Sequence, residues 1–392
     1  MSTIPSLALL PSGYKASKVY SVLPTDGTGD FDFTRSGSAT RVNSQGLIEL
    51  VDSNVPRLNY PLIDGVVQGC PSLLLEPERT NNLQRSEEFE NAYWVNNGVT
   101  ITANQIISPS GLLNADLLTG VSGGFGIVRF STWTATNKVA SCFAKAGATN
   151  IFKIANVSAG NRYVLFDLSN GTVFEQSAGW TGFIENYGNG WYRCTAISNN
   201  ETGTFSLGVT AASESVYIWG AQLEAGTYAT SYIPTTSAIS TRSAETCNGA
   251  GDASTFNDSE GVLFAEISAL ADDGTFRFIS LSDGTSSNRL SLFFSTSNTL
   301  NAGGLGITSI GGVSGIENNN KVAFKYKSGD YALWVNGIEV GTSTVTTGNH
   351  ANLNRLNFDF GQGSDDFYGN VKQIQYFNTL LTDQQLQQLT TL

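Results

Sequence analysis

The 392-residue sequence predicts an all-β protein: two antiparallel β-sandwich (jelly-roll) domains preceded by an extended N-terminal attachment segment. Three observations predict it. Short alternating apolar and polar runs recur between turn residues, as half-buried strands require. Helical periodicity is almost absent. Charged residues make up 14% of the chain and glycine contributes 42 positions, a low-charge, turn-rich profile.

The strands read in order. Val139–Lys145, Tyr163–Leu168, Trp191–Ile197 and Ser215–Trp219 alternate in the middle of the chain. Val262–Ile267, Leu290–Phe294, Val322–Tyr326 and Ala332–Val335 do so in the last third. Asn336-Gly337 is a type I′ hairpin signal, with Ile338-Glu339-Val340 as the returning strand. Many short strands at regular spacing indicate sandwiches or barrels. Two helical exceptions are expected. One is C-terminal, capped by Thr382 or Asp383 with Leu386 and Leu389 on one face. The other is a single turn over Ser86–Asn91, with acidic residues at its start.

Composition shifts divide the chain. Pro56, Pro61, Pro71 and Pro77 punctuate an extended segment over residues 1–80, whose apolar anchors are too sparse for an independent core. A sandwich is expected over 81–236, a Ser/Thr/Ala/Gly-rich linker over 237–259, and a second sandwich over 260–392. The N-terminal segment could wrap the middle sandwich or lend strands to a neighbouring edge, and Leu7, Leu9 and Leu10, which precede any alternating run, read with Tyr14 and Tyr20 as partner-docking anchors.

A net charge of −12 argues against nucleic-acid and anionic-membrane partners, since both need basic patches. No apolar run approaches the length of a membrane span. The start, Met-Ser-Thr-Ile-Pro, has no basic and apolar leader, so synthesis in a reducing cytoplasm is expected. Cys70, Cys142, Cys194 and Cys247 show no CxxC spacing and read as free thiols, Cys142 and Cys194 buried on neighbouring strands. A lone histidine, His350, excludes multi-histidine metal sites and reads as a solvated loop residue. Trp191, Trp219 and Trp334 lie inside alternating runs and read as core. Trp133 and Trp180, near strand ends among Ser, Thr and Gly, are candidate sugar platforms, with Tyr163 and Arg162 beside them.

Three segments carry a resemblance. Pro11–Pro24, Asp30-Phe31-Asp32-Phe33, Ala39–Asn43, Val55–Tyr60 and Cys70–Asn81 together resemble the lead-in of tailed-phage head-fibre, head-spike or tail-fibre proteins. Ser86–Phe89 with Trp94, Gly190–Arg193, and Ala221–Gly226 through Tyr232–Thr235 are similar to a carbohydrate-binding-module jelly roll. Lys325–Tyr331, Trp334–Gly337 and Tyr368–Ile374 are similar to concanavalin-like or laminin-G-like lectin sandwiches. The resemblance implies structural calcium at sandwich edges, with Glu76, Glu78 and Glu224 as oxygen ligands in the middle domain and Asp283, Asp365 and Asp366 in the last. It implies a virion protein bound to other phage proteins through its N-terminal region, trimeric by family analogy, adhering weakly and multivalently to surface glycans without catalysis. A purely architectural capsid or tail protein and a polysaccharide depolymerase are the alternatives. The second would need two facing carboxylates, whereas Glu266 stands alone in its strand and Asp365-Asp366 sit in a Gly-rich loop.

Overall fold

The computed structural model describes residues 4–122, 126–130, 137–157, 162–199, 203–347 and 350–392. The chain is all-β, with one helix among the described residues. Its middle part pairs two six-stranded sheets. One runs, in spatial order, Val95–Asn97, Gly126–Phe130, Thr204–Gly208, Ile151–Asn156, Arg162–Asp167, Thr172–Gln176. The other runs Val99–Ile107, Leu113–Gly120, Ser215–Ala225, Asn137–Ala146, Trp191–Asn199, Trp180–Gly188. Period-two alternation fills the space between them with Phe152, Ile154, Val164, Phe166, Leu207 and Ile218, all fully buried. Cys142 and Cys194 are direct cross-strand partners in this core, both free thiols.

The second sandwich is built from both ends of the chain. Its eight-stranded sheet contains Ile338–Ser343, Tyr331–Val335, Asn320–Lys327, Glu260–Ala269 and Gly369–Phe377, and is completed by the N-terminal strands Ser72–Leu75, Leu58–Asn59 and Leu7–Leu9. Leu7 pairs with Tyr376 and Leu9 with Ile374, while Leu73 pairs with Val371 and Leu75 with Gly369. The facing sheet has five strands in the order Ile307–Val313, Leu300–Gly304, Arg289–Phe294, Arg277–Ser282, Arg355–Asn357. Leu7, Leu9, Phe31, Phe33, Leu73 and Leu75 share one apolar cluster with Leu263, Ile279, Leu292, Phe324 and Ile374. The sparse N-terminal anchors therefore have no core of their own because they fill this one. Leu7 and Leu9, expected as partner-docking anchors, are fully buried inside the molecule; Tyr14 is half-buried, and Leu10 and Tyr20 are exposed.

Asn336 and Gly337 both take positive φ, and Val335 pairs with Ile338, which is the expected hairpin. The C-terminal helix spans Asp383–Thr390 behind a Thr382/Gln385 capping box. Leu386 seats it on the outer face of the eight-stranded sheet, against Val262, Phe264, Ala323 and Trp334. Ser86–Asn91 forms turns rather than helix. Its backbone is drawn off to other partners: Ser86 N–H donates to the Thr235 carbonyl, and Phe89 N–H donates to Asp116 Oδ2 at 3.1 Å.

Residues 237–259, which composition reads as linker, carry the strands Ser240–Arg242 and Thr246–Asn248. They pair with Arg79–Asn81 and with Phe31–Thr34, respectively. Between them lies a buried ionic cluster. Glu245 accepts from Arg35 Nη1 at 2.9 Å, from Arg57 Nε at 2.8 Å, from Arg57 Nη2, and from the Glu76 backbone N–H at 3.0 Å. Glu76 in turn accepts from Arg57 Nη1 at 2.7 Å and lies 3.1 Å from Arg242 Nη1. Arg35, Arg57, Arg242 and Glu245 are at most 1% exposed. Burial alone would lower the Arg57 pKa and raise that of Glu76. The opposite charges around them more than reverse both shifts, so Arg57 stays cationic and the Glu76 carboxyl is held well below the usual range.

Candidate functional site

One candidate binding surface lies on the outer face of the five-stranded sheet of the second sandwich. Alternation decides what it displays. In Arg289–Phe294, Leu290, Leu292 and Phe294 enter the core, which turns Arg289, Ser291 and Phe293 outward. In the neighbouring strand, Ile279 and Leu281 point in, which turns Phe278 and Ser280 out. The register then brings like beside like: Phe278 lies opposite Phe293, and Ser280 opposite Ser291, their hydroxyls 2.8 Å apart. On the other flank Phe293 faces Asn301 and Ser291 faces Gly303.

These side chains make a groove of about 590 Å³ with an aromatic wall and a polar floor. Phe278 and Phe293 stack with centroids 4.9 Å apart and planes 19° from parallel. Phe360 meets Phe278 edge-on at 4.6 Å, and Phe276, 41% exposed, extends the wall. The Arg289 guanidinium lies 3.5 Å from the Phe360 ring centroid, and its buried Nε has no protein acceptor. Asn301 and Ser309 stand across the groove, and Gly303, with no side chain, leaves its floor open. Apolar faces beside hydroxyl, amide and guanidinium groups suit a ligand with one apolar face and a rim of hydroxyls. No Asp or Glu is among the described residues lining the groove.

The sugar-platform candidates fall elsewhere. Trp133 lies outside the described residues. Trp180 is 6% exposed and belongs to the core of the middle sandwich, beside a void of about 30 Å³ that holds about one water. Neither Tyr163 nor Arg162 lines that void. Tyr163 donates its hydroxyl to Glu175 at 2.7 Å, and Arg162 Nη1 donates to the Ala178 carbonyl at 2.6 Å, both on the surface. Trp180 cannot act as a platform because its indole fills the sandwich interior.

Most of the carboxylates expected to hold calcium have partners of their own. Glu76 accepts from Arg57 and from Ser231 N–H and Oγ. Glu224 accepts from Gln222 at 2.7 Å and from Thr230 N–H at 3.1 Å. Asp283 closes its own turn through Thr285 and Asn288. Asp366 accepts from Tyr368, and Asp365 and Glu78 are exposed. Among the described residues no group of three His, Cys, Asp or Glu side chains is placed to hold a metal ion. His350 is also corrected: it is 8% exposed, edge-on to Tyr326, and burial lowers its pKa to about 4.

The groove residues escaped sequence reasoning, although part of the signal was there. Leu290-Ser291-Leu292-Phe293-Phe294-Ser295 already separates an apolar face from a mixed one. What a single strand cannot show is the register that sets Phe278 against Phe293.

No helix among the described residues is long and apolar enough to cross a membrane. No family model matches the chain, and no curated protein matches it. Among solved structures, the chain is similar to the CBM40 of the Ruminococcus gnavus IT-sialidase bound to alpha2,3 sialyllactose, at 15% identity and TM-score 0.31, covering 35% of this chain and 84% of that one. It is similar to the K499G mutant of the NanB sialidase from Streptococcus pneumoniae at 18% identity and TM-score 0.29, covering 36% and 25%. The Trypanosoma rangeli sialidase in complex with the inhibitor DANA matches at 11% identity and TM-score 0.29, covering 70% and 60%. At such TM-scores these likenesses decide nothing about function, and the reading rests on the groove's own geometry.

Proposed function

We propose that this chain is a glycan-binding protein that holds saccharides on the second sandwich without cleaving them, and that it serves as an exposed appendage of a tailed-phage particle. The observation that carries the binding reading is the groove itself. Phe276, Phe278, Phe293 and Phe360 form one apolar wall, facing Ser291, Asn301, Ser309 and Arg289. A pyranose offers an apolar face to the first set and hydroxyls to the second. The lining supports retention over turnover, because glycosidases work with two carboxylates about 5–9.5 Å apart. The virion role rests on the resemblance of the lead-in segments, and low affinity suffices there because multiple copies on a particle raise avidity.

The test uses the purified chain on a glycan array, together with a reducing-end assay on any polysaccharide retained. Binding without release of reducing ends is expected. Phe293→Ala should weaken retention about two- to tenfold, the worth of one aromatic contact. Retention unchanged in that variant removes the groove as the site, and new reducing ends establish a depolymerase. Labelling the protein in intact particles tests the virion assignment separately.

A further inference from the structure

A second cavity lies where the N-terminal segment meets the open face of the middle sandwich. It measures about 180 Å³, room for about six waters or one sugar ring, and all three parts of the chain wall it. Asn59 and Arg41 come from the N-terminal segment, Glu185, Tyr187 and Arg193 from the middle sandwich, and Asn370 from the C-terminal strand.

Two features mark it as more than a packing gap. Arg193 lines it and is 5% exposed. Its Nη2 donates to Ser141 Oγ at 3.2 Å and to the Thr230 carbonyl at 2.7 Å, but its Nε hydrogen has no acceptor in the protein. A buried donor of this kind calls for an acceptor, which a water or a ligand hydroxyl in the cavity would supply. The second feature is continuity. Tyr187 also borders two neighbouring clefts, of about 340 and 750 Å³, whose other wall is the segment spanning residues 42–67. The cavity shares Val42, Asn59, Glu185 and Tyr187 with the cleft of about 340 Å³, and the two form one furrow.

The charges define the occupant. The lining holds Arg41, Arg193, Glu76 and Glu185, so its formal charges cancel, and Arg41 and Glu76 are already neutralised by Glu49 and by Arg57 with Arg242. An anion would meet two carboxylates, and a cation two guanidiniums. Donors (Arg193, Asn59, Asn370) and acceptors (Glu185, Asn59, Asn370) line the same cavity, which suits hydroxyls because each one both donates and accepts. Tyr187, half-buried and edge-on to Phe143 at 4.9 Å, adds an apolar ring. We propose that this furrow is a second glycan site, taking a neutral oligosaccharide whose terminal ring enters the Arg193 cavity. The chain would then bind glycans at two separate places, and the second would exist only while the N-terminal segment is docked. This inference does not depend on the Phe278/Phe293 groove.

The experiment uses the full chain against immobilised neutral oligosaccharides of glucose, galactose and mannose, beside uronic-acid and sialylated ones. Phe293→Ala first weakens the groove. Into that background go Ala229→Phe, which fills the cavity from its half-buried rim, and separately Tyr187→Ala and Glu185→Gln. Neutral-sugar binding that survives Phe293→Ala and then falls about tenfold or more in the furrow variants, with the unfolding midpoint held, is the expected result. If Ala229→Phe does not fold, Glu185→Gln, at an exposed position, carries the same reading. Loss of all binding in Phe293→Ala, residual binding blind to the furrow variants, or a preference for acidic sugars would each overturn the furrow. Binding lost in the furrow variants but unaffected by Phe293→Ala keeps the furrow and overturns the groove.

Discussion

Replacing Glu245 by alanine should be among the most damaging single changes in this protein. Glu245 is fully buried, and three of the four donors to it are guanidinium N–H groups of Arg35 and Arg57. The native cluster sets three arginines against two glutamates; the variant leaves three against Glu76 alone, with no route to water. Breaking a buried ion pair from one side costs about 3–5 kcal/mol, mostly as uncompensated charge. A domain this size holds only about 5–15 kcal/mol of stability. At about 2–4 °C per kcal/mol for 150–250 residues, the midpoint should fall by roughly 6–20 °C. Calorimetry with a matched control decides it. Glu49→Ala breaks the more exposed Arg41–Glu49 pair, 2.6 Å apart, and should cost at most about 1 kcal/mol. A Glu245→Ala midpoint as close to native as that of Glu49→Ala would refute the reasoning. The same cluster gives a pH signature. Because the folded Glu76 pKa lies below its unfolded value of about 4.5, its contribution is complete above that value and is lost as pH falls below it.

His350 should produce a separate acid sensitivity. Burial lowers its folded pKa to about 4 from 6.5, so between those values the unfolded chain binds the extra proton and stability drops on acidification, by about 3 kcal/mol in full; denaturant titrations of His350→Phe should lose that pH 6.5-to-4 slope, and an unchanged slope would show the imidazole to be solvated. Gly303→Leu should fill the groove and remove the Phe293-dependent part of glycan retention while the fold survives, since a Cβ there meets only ordinary contacts from 3.6 Å, whereas Gly304→Leu should destabilise the sheet because its Cβ would run into the Arg289 carbonyl; equal melting of the two variants would contradict this geometry. Among the four thiols only Cys70 is exposed, and burial raises the pKa values of Cys142, Cys194 and Cys247; a native thiol titration should therefore show one fast group, with three released on unfolding, and a second fast thiol would mean the strands around Cys142 and Cys194 open.

Local features were legible in the sequence because local physics decides them. Alternation located the strands around Val139, Trp191, Val262 and Leu290, Asn336-Gly337 marked its hairpin, and Thr382 its helix cap. Features set by distant pairing were not. Ser240–Arg242 looked like linker because its partners, Arg79–Asn81, lie some 160 residues away. Leu7 and Leu9 looked like surface anchors because their core is supplied by the other end of the chain. Glu76 looked like a calcium ligand because a carboxylate in a sequence does not show which guanidinium will reach it.

The joining of the two termini has its own consequence for how the chain can be divided. The core between the two middle sheets is closed by residues from Leu83 to Leu223, so residues 81–236 should fold when produced alone, but with a lowered midpoint, because the N-terminal segment covers a second cluster by setting Ile48 against Phe143, Trp191, Trp219 and Tyr232. The second sandwich differs. Without residues 1–80, the strand Gly369–Phe377 loses its partners on one side, and the core loses Leu7, Leu9, Phe31, Phe33, Leu73 and Leu75, each at most 1% exposed in the intact chain. Removing one large buried side chain costs about 2–5 kcal/mol, so losing six, about 12–30 kcal/mol, matches or exceeds the about 5–15 kcal/mol that holds a domain together. Residues 237–392 alone should therefore be unfolded or aggregated, and adding residues 1–80 in trans should restore a cooperative transition if the N-terminal strands can dock unaided. A cooperative, monomeric melt of 237–392 by itself would mean that the facing sheets close without the N-terminal strands, and that those strands are free to pair with something else.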